Sequence, residues 1–141
     1  MKIKFMAVMM TAFAWVFSAC GSKDSDAKQL VLYYSQTGST KTVAEEIQKV
    51  LDTDIEVIEL ENPYTGTYDE TLQRVKQERE SGNLPKLKPL KAELSKYEVI
   101  YLGYPIWFGT YALPIASLVK DHDFEGKKIV PFCTFGSGDM E

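Results

Sequence analysis

The sequence predicts an α/β protein built on a doubly wound parallel β-sheet. The first observation is the alternation of strand-like and helix-like segments along the chain, in the order β-α-β-α-β-α-β. The second is a near-continuous apolar run over residues 98–104, which is typical of a strand buried on both faces. Alternating segments of this kind form parallel strands with helices on both sides of the sheet, so the two observations indicate the same architecture.

Hydrophobic periodicity sets the bounds of each predicted element. Strands are predicted over residues 29–34, 55–60, 98–104 and 128–133, and helices over residues 39–51, 68–80 and 112–120. Cys133 lies in the last of these strands and is predicted to be a small buried apolar residue. The hydrophobic content of 45% is ordinary for a globular domain, and the net charge of −4 argues against a nucleic-acid partner.

The loop after the first strand has the properties of a phosphate site. It carries four hydroxyl side chains, which are Ser35, Thr37, Ser39 and Thr40. A helix begins here, and its free N–H groups and its dipole favour an anion. The loop contains neither the nucleoside triphosphate motif Gly-x-x-x-x-Gly-Lys-Ser/Thr nor the dinucleotide motif Gly-x-Gly-x-x-Gly. The ligand that remains is the monophosphate of a mononucleotide such as FMN. The alternative is a Ser/Thr-capped helix that binds nothing.

Two further loops follow strands and carry aromatic residues. Four aromatic residues lie in or beside the loop predicted over residues 105–110, namely Tyr104, Trp107, Phe108 and Tyr111. Such a group indicates a surface on which a flat ring system stacks, or alternatively a hydrophobic corner that covers the sheet edge. The loop over residues 134–138 offers two glycines, hydroxyls and a phenylalanine. In parallel sheets, ligands bind beyond the carboxyl ends of the strands, where all three loops lie.

Taken together, the three loops resemble the cofactor loops of the flavodoxin-like family, and the resemblance covers residues 29–141. The residues that carry it are Ser35, Gln36, Thr37, Gly38, Ser39 and Thr40 in the phosphate loop; Pro105, Ile106, Trp107, Phe108 and Gly109 on one side of the flavin; and Thr134, Phe135, Gly136, Ser137 and Gly138 on the other. The resemblance implies that these residues bind FMN non-covalently, that the predicted strands have the order 2-1-3-4, and that Trp107 stacks on the flavin while Phe108 packs in the core.

The family fold has a fifth parallel strand after the third loop. Because the sequence stops three residues after Gly138, the flavodoxin-like domain over residues 28–141 is expected to be incomplete at its C-terminus. Roughly 40 to 50 residues would be missing, judged from the size of a strand–helix unit and its partners.

The function that the resemblance implies is that of an FMN-binding carrier, which exchanges electrons with redox partner proteins. Two alternatives remain open: an FMN-dependent NAD(P)H reductase of quinones or nitro compounds, and a flavin-free truncated fragment. A phosphate-chemistry domain is disfavoured, because residues 35–40 contain no acidic residue, cysteine or arginine. No catalytic residue and no metal site are predicted.

The N-terminal segment predicts export. Residues 1–19 have a positive start and an apolar run over residues 5–17, which is shorter than the about 20 residues that span a bilayer and matches a secretory signal peptide. Cys20 follows Ser18 and Ala19 and resembles the lipidated cysteine of a bacterial lipobox. Residues 20–27 then form a lipidated tether, and the protein is expected on the exported side of the cell envelope, anchored to a membrane. The alternative is an ordinary signal peptide with a chance cysteine.

Overall fold

The computed structural model describes residues 27–136 of the chain. The strands are β1 (Gln29–Tyr33), β2 (Asp54–Val57), β3 (Val99–Trp107), β4 (Thr110–Tyr111) and β5 (Lys128–Thr134). The helices are α1 (Ser39–Leu51), α2 (Tyr68–Ser81) and α3 (Leu113–Asp121), and a short 3-10 turn covers Leu94–Lys96. The predicted signal peptide, Cys20, Ser137 and Gly138 lie outside the described residues.

Four parallel strands form the sheet in the order β2-β1-β3-β5. The short strand β4 pairs antiparallel with the carboxyl end of β3. Since β5 is the fourth strand of the sequence prediction, the predicted order 2-1-3-4 and the α/β class are confirmed.

Apolar side chains cover both faces of this sheet. The larger core joins Leu30 and Ile100 of the sheet to Val75 of α2 and Leu118 of α3. A smaller cluster on the opposite face contains Val31 and Tyr33 of β1, with Ala44 of α1. The sheet is therefore doubly wound, as the alternation of elements predicts.

The helices begin and end close to the predicted residues. α1 has the predicted bounds, and α2 begins at a capping box in which Thr67 and Glu70 each accept a hydrogen bond from the main-chain N–H of the other. The second strand is shorter than predicted, because Leu60 pairs with Leu87 in an isolated antiparallel bridge instead of continuing β2. No helix within residues 27–136 has the length and apolar character that a membrane span requires.

The predicted loop over residues 105–110 is a β-hairpin, so the prediction is wrong at this point. β3 continues to Trp107 and pairs with β4, with Trp107 opposite Thr110. Phe108 and Gly109 form the turn between them, and both have positive φ angles, of 52° and 71°. Two-residue hairpin turns favour positive φ at both positions because this backbone matches the twist of the strands.

Cys133 is exposed, so the prediction that it is buried is also wrong. In the described part of the chain, β5 pairs with β3 alone and is therefore at the edge of the sheet. Phe132 turns towards the cluster beside α1, and Cys133, as its neighbour along the strand, turns to the other face. Its register partner is Tyr104 of β3. The apolar run around Cys133 predicts a strand but does not say how far its faces are covered.

Gly103 in β3 allows Phe132 to pack across the strand. A Cβ atom at Gly103 would lie 2.2 Å from Cζ of the Phe132 ring. Gly103→Ala is therefore expected to lower the free energy of unfolding by about 1–3 kcal/mol, the usual cost of overpacking a core. Urea denaturation followed by circular dichroism measures the change.

Gly136→Ala is the matched control, because a Cβ atom there meets nothing within 4 Å. The cost of Gly103→Ala should also shrink in a Phe132→Leu background. An equal cost in both backgrounds would show that the Phe132 ring is not the obstacle.

Candidate functional site

The structure brings the first and third predicted loops together at the carboxyl edge of the sheet. The loop over residues 35–40 follows β1, and Thr134 ends β5 two strands away. The hydroxyls of Thr40 and Thr134 lie 2.7 Å apart and share a hydrogen bond. Phe135 and Gly136 follow Thr134 and are exposed, whereas Ser137 and Gly138 lie outside the described residues.

The amino end of α1 is open to an anion. Gly38 precedes the helix with a φ angle of 98°, and its N–H donates to the Ser35 hydroxyl at 3.1 Å. No side chain caps the helix, and its first turn contains no acidic residue. The first N–H groups of a helix have no partner within the helix itself, so those of Ser39 and Thr40 are available to a ligand. The local sequence therefore produces an open helix amino end, a geometry that favours an anion, and ligand binding there stays a prediction.

The hydroxyls of this loop differ in accessibility. Thr37 and Ser39 are exposed, whereas Thr40 is only 1% exposed and its hydroxyl is engaged by Thr134. The side chain of Thr40 therefore ties two loops together, and its N–H is the group left to face an anion. Which of the predicted residues bind a ligand stays a prediction.

The Gln36 side chain forms hydrogen bonds to two other residues of the protein. Its Oε1 atom accepts a hydrogen bond from the Tyr34 hydroxyl at 2.6 Å. Its Nε2 atom donates to the main-chain oxygen of Tyr64 at 3.0 Å. Gln36 thus joins β1 to the loop that precedes α2, and this distant contact has no signal in the local sequence.

The hairpin presents its two central aromatic residues differently. Trp107 is half-buried and contacts the main core, with its ring edge-on to Tyr34 at 5.8 Å and to Tyr64 at 5.4 Å between ring centres. Phe108 is 53% exposed at the tip of the hairpin. The prediction that Phe108 packs in the core is therefore wrong, because the turn at Phe108 and Gly109 directs it away from the strands. Pro105 and Ile106, which complete the predicted loop, are half-buried within β3.

Two tyrosines beside the hairpin are buried and remain protonated at neutral pH. Tyr34 and Tyr64 are each 5% exposed. Burial raises the pKa of the Tyr34 hydroxyl, and burial together with the bond to Glu78 raises the pKa of the Tyr64 hydroxyl. Both hydroxyls act as donors, Tyr34 to Gln36 and Tyr64 to Glu78 at 2.5 Å. Sequence reasoning missed these tyrosines, since each lies outside the three loops.

The described residues contain no group of three or more His, Cys, Asp or Glu side chains that could hold a metal ion. The features at this edge of the sheet are instead an open helix amino end, exposed hydroxyls and exposed aromatic rings. Fold and site together define a doubly wound α/β protein with a site suited to a phosphate and a flat ring system.

Comparison with known proteins identifies the family. Residues 28–141 match the sequence model of the flavodoxin family, and the chain therefore belongs to that family. No curated protein sequence matches the chain.

Two solved structures with the same fold come from Bacteroides species, and both proteins are assigned as flavoproteins. The chain is 31% identical to one from Bacteroides eggerthii DSM 20697, with a TM-score of 0.72 over 80% of this chain and 74% of that one. It is also 31% identical to one from Bacteroides uniformis ATCC 8492, with a TM-score of 0.71 over 79% of this chain and 74% of that one. A flavoprotein from Lactobacillus acidophilus NCFM, crystallised in complex with FMN, is 24% identical to this chain. Its TM-score is 0.73 over 81% of this chain and 78% of that one.

Proposed function

We propose that this domain binds FMN at the carboxyl edge of the sheet and carries electrons between redox partner proteins. The observation that carries the proposal is that the open amino end of α1 and the aromatic β3–β4 hairpin follow neighbouring parallel strands at the carboxyl edge of the sheet. Family membership and the FMN complex of the Lactobacillus acidophilus flavoprotein support FMN as the cofactor. When bound, FMN supplies the chemistry of taking up and releasing one or two electrons.

The residues present fit both ends of this cofactor. The first N–H groups of α1 and the exposed hydroxyls of Thr37 and Ser39 are the groups that would hold the phosphate. For the ring, Phe108 and Phe135 are 53% and 59% exposed on neighbouring loops. An exposed aromatic ring supplies the apolar surface on which a flavin stacks. We therefore assign the stacking role to Phe108, with Trp107 supporting the hairpin from within.

An electron carrier and a reductase differ in one measurement. A carrier loaded with FMN does not turn over NAD(P)H without a partner protein. Steady NAD(P)H oxidation in the presence of a quinone or nitro compound would instead assign the chain to the reductases.

Thr37→Ala tests the phosphate end of the site. Loss of one hydrogen bond to a charged group costs about 1.5–3 kcal/mol, so the dissociation constant of FMN should rise roughly 10- to 100-fold. Riboflavin has no phosphate, and its affinity should stay nearly unchanged. Fluorescence titration measures both ligands. Ser95→Ala removes an exposed hydroxyl from the 3-10 turn before β3 and is the control; equal losses for FMN and riboflavin in Thr37→Ala would refute the assignment.

Phe108→Ala tests the ring end of the site. It should raise the dissociation constants of FMN and riboflavin by about the same factor, roughly tenfold, through lost aromatic contact and buried area. It should also restore part of the emission of the bound flavin, because a stacked ring quenches it. Trp107→Phe, which keeps an aromatic ring in the hairpin, should leave the quenching intact. If Phe108→Ala leaves affinity and quenching unchanged while Trp107→Phe alters both, the stacking role belongs to Trp107.

We further propose that the chain is exported and anchored to a membrane of the cell envelope through a lipid on Cys20. The support is the apolar run over residues 5–17 followed by Ser-Ala-Cys. Cys20→Ser should abolish incorporation of radioactive fatty acid and release the protein from the membrane fraction. Persistent labelling of the variant would show that the lipid is attached elsewhere. Absence of labelling in the natural chain would show that residues 1–19 are an ordinary signal peptide.

A further inference from the structure

Three residues on and beside α2 bind one another and hold the loop that precedes the helix. The Arg74 guanidinium donates to the main-chain oxygens of Asn62 and Pro63, each at 2.9 Å, while its Nε donates to Glu78 at 2.9 Å. It also lies over the Tyr64 ring, 4.3 Å from the ring centre. The Tyr64 hydroxyl donates to the other carboxylate oxygen of Glu78 at 2.5 Å. We call Arg74, Glu78 and Tyr64 the α2 clamp.

The α2 clamp reaches two loops of the cofactor site through Tyr64. Gln36 of the phosphate loop donates to the main-chain oxygen of Tyr64 at 3.0 Å. Trp107 of the hairpin packs edge-on against the Tyr64 ring, with 5.4 Å between ring centres. The position of Tyr64 therefore fixes where these two loops stand relative to each other.

Partial burial makes the members of the clamp depend on one another. The side chains of Arg74 and Glu78 are 28% and 16% exposed, and removal of one partner leaves a poorly solvated charge without its counter-ion. The next ion pair on α2, between Lys76 and Glu80, has the same spacing along the helix but is 71% and 68% exposed. Exposed pairs of this kind contribute little to stability.

We propose that the α2 clamp is a positioning unit of the FMN site. It holds residues 62–64 so that Gln36 and Trp107 keep the phosphate loop and the aromatic hairpin at the separation that the cofactor needs. Arg74 and Glu78 act through Tyr64 and do not contact the cofactor. The proposal rests on the proposed FMN function and adds residues to it that lie outside the three loops.

Arg74→Lys is the first test, because lysine keeps the charge but cannot reproduce the three hydrogen bonds. The dissociation constant of FMN should rise roughly tenfold, the scale expected for a misplaced contact in a connected network. Tyr64→Phe removes one hydroxyl only and should act in the same direction more weakly, which keeps the test available if Arg74→Lys does not fold. Glu46→Gln, in the exposed Glu46–Lys49 ion pair of α1, is the control for Glu78→Gln; Glu78→Gln should weaken FMN binding and Glu46→Gln should not.

A double-mutant cycle separates positioning from a general loss of stability. Arg74→Lys and Gln36→Ala interrupt the same connection, so the double variant should bind FMN about as weakly as the worse single variant. Independent effects would multiply, roughly to a hundredfold loss for two tenfold losses, and would overturn the proposal. Unchanged FMN affinity in Arg74→Lys would also overturn it.

Hydrogen exchange in the flavin-free full chain distinguishes failure of this proposal from failure of the FMN function. The amides of residues 61–66 other than Pro63 should exchange faster in Arg74→Lys and in Gln36→Ala than in the natural chain, as measured by mass spectrometry. If the natural chain binds no FMN, the proposed function fails, while faster exchange still shows that the clamp holds the loop. Unchanged exchange in Arg74→Lys refutes the clamp whatever the flavin result.

Discussion

The burial of β1 on both faces is the constraint on which the rest of the structure depends. Its residues Leu30, Val31 and Leu32 are at most 1% exposed, and parallel partners lie on both sides of the strand. Parallel neighbours cannot be joined by tight turns, so the chain must cross the sheet through helices, which then cover both faces. The four parallel strands therefore end at the same edge, and the loops that follow them become neighbours. The position of the candidate cofactor site is a consequence of this topology.

The hairpin at this edge shows how a strained turn can present a side chain. Phe108 has a positive φ angle although it is not glycine, and such a conformation persists only where the surrounding structure enforces it. Here the pairing of Trp107 with Thr110, the packing of Trp107 between two tyrosines and the adjacent Gly109 enforce it. The result is an aromatic ring on the surface, 5.5 Å from the Arg79 guanidinium of α2, supported by a second aromatic ring inside.

Behind the hairpin, hydrogen bonds join polar side chains that differ in burial: Tyr34 and Tyr64 are buried, whereas Gln36 is exposed. The hydroxyls of Tyr34 and Tyr64 each find an acceptor, and the side-chain amide of Gln36 is satisfied at both ends. A buried polar group without a partner costs free energy, so a network of this kind permits few alternative arrangements of its members. The network links β1, the loop before α2 and the hairpin. Apolar contacts alone would allow these three segments to shift relative to one another more freely.

The sequence by itself determined the elements whose signals are local. The bounds of α1, its open amino end and the capping box of α2 depend on residues within a few positions of one another. The alternation of elements then limits the sheet to a parallel, doubly wound form. Family resemblance added the strand order and the cofactor, which composition and spacing alone do not contain.

Only the tertiary structure decided the features that depend on residues far apart in the chain. β4 exists because Thr110 and Tyr111 meet the end of β3, and this pairing separates Phe108 from Trp107. Cys133 is exposed because its strand lies at the edge of the described sheet, which an apolar run cannot reveal. Arg74 reads in the sequence as one more charge on a polar helix, and only folding places it over Tyr64. Periodicity records which way a side chain points along its own element, whereas its partner is chosen by how distant elements pack.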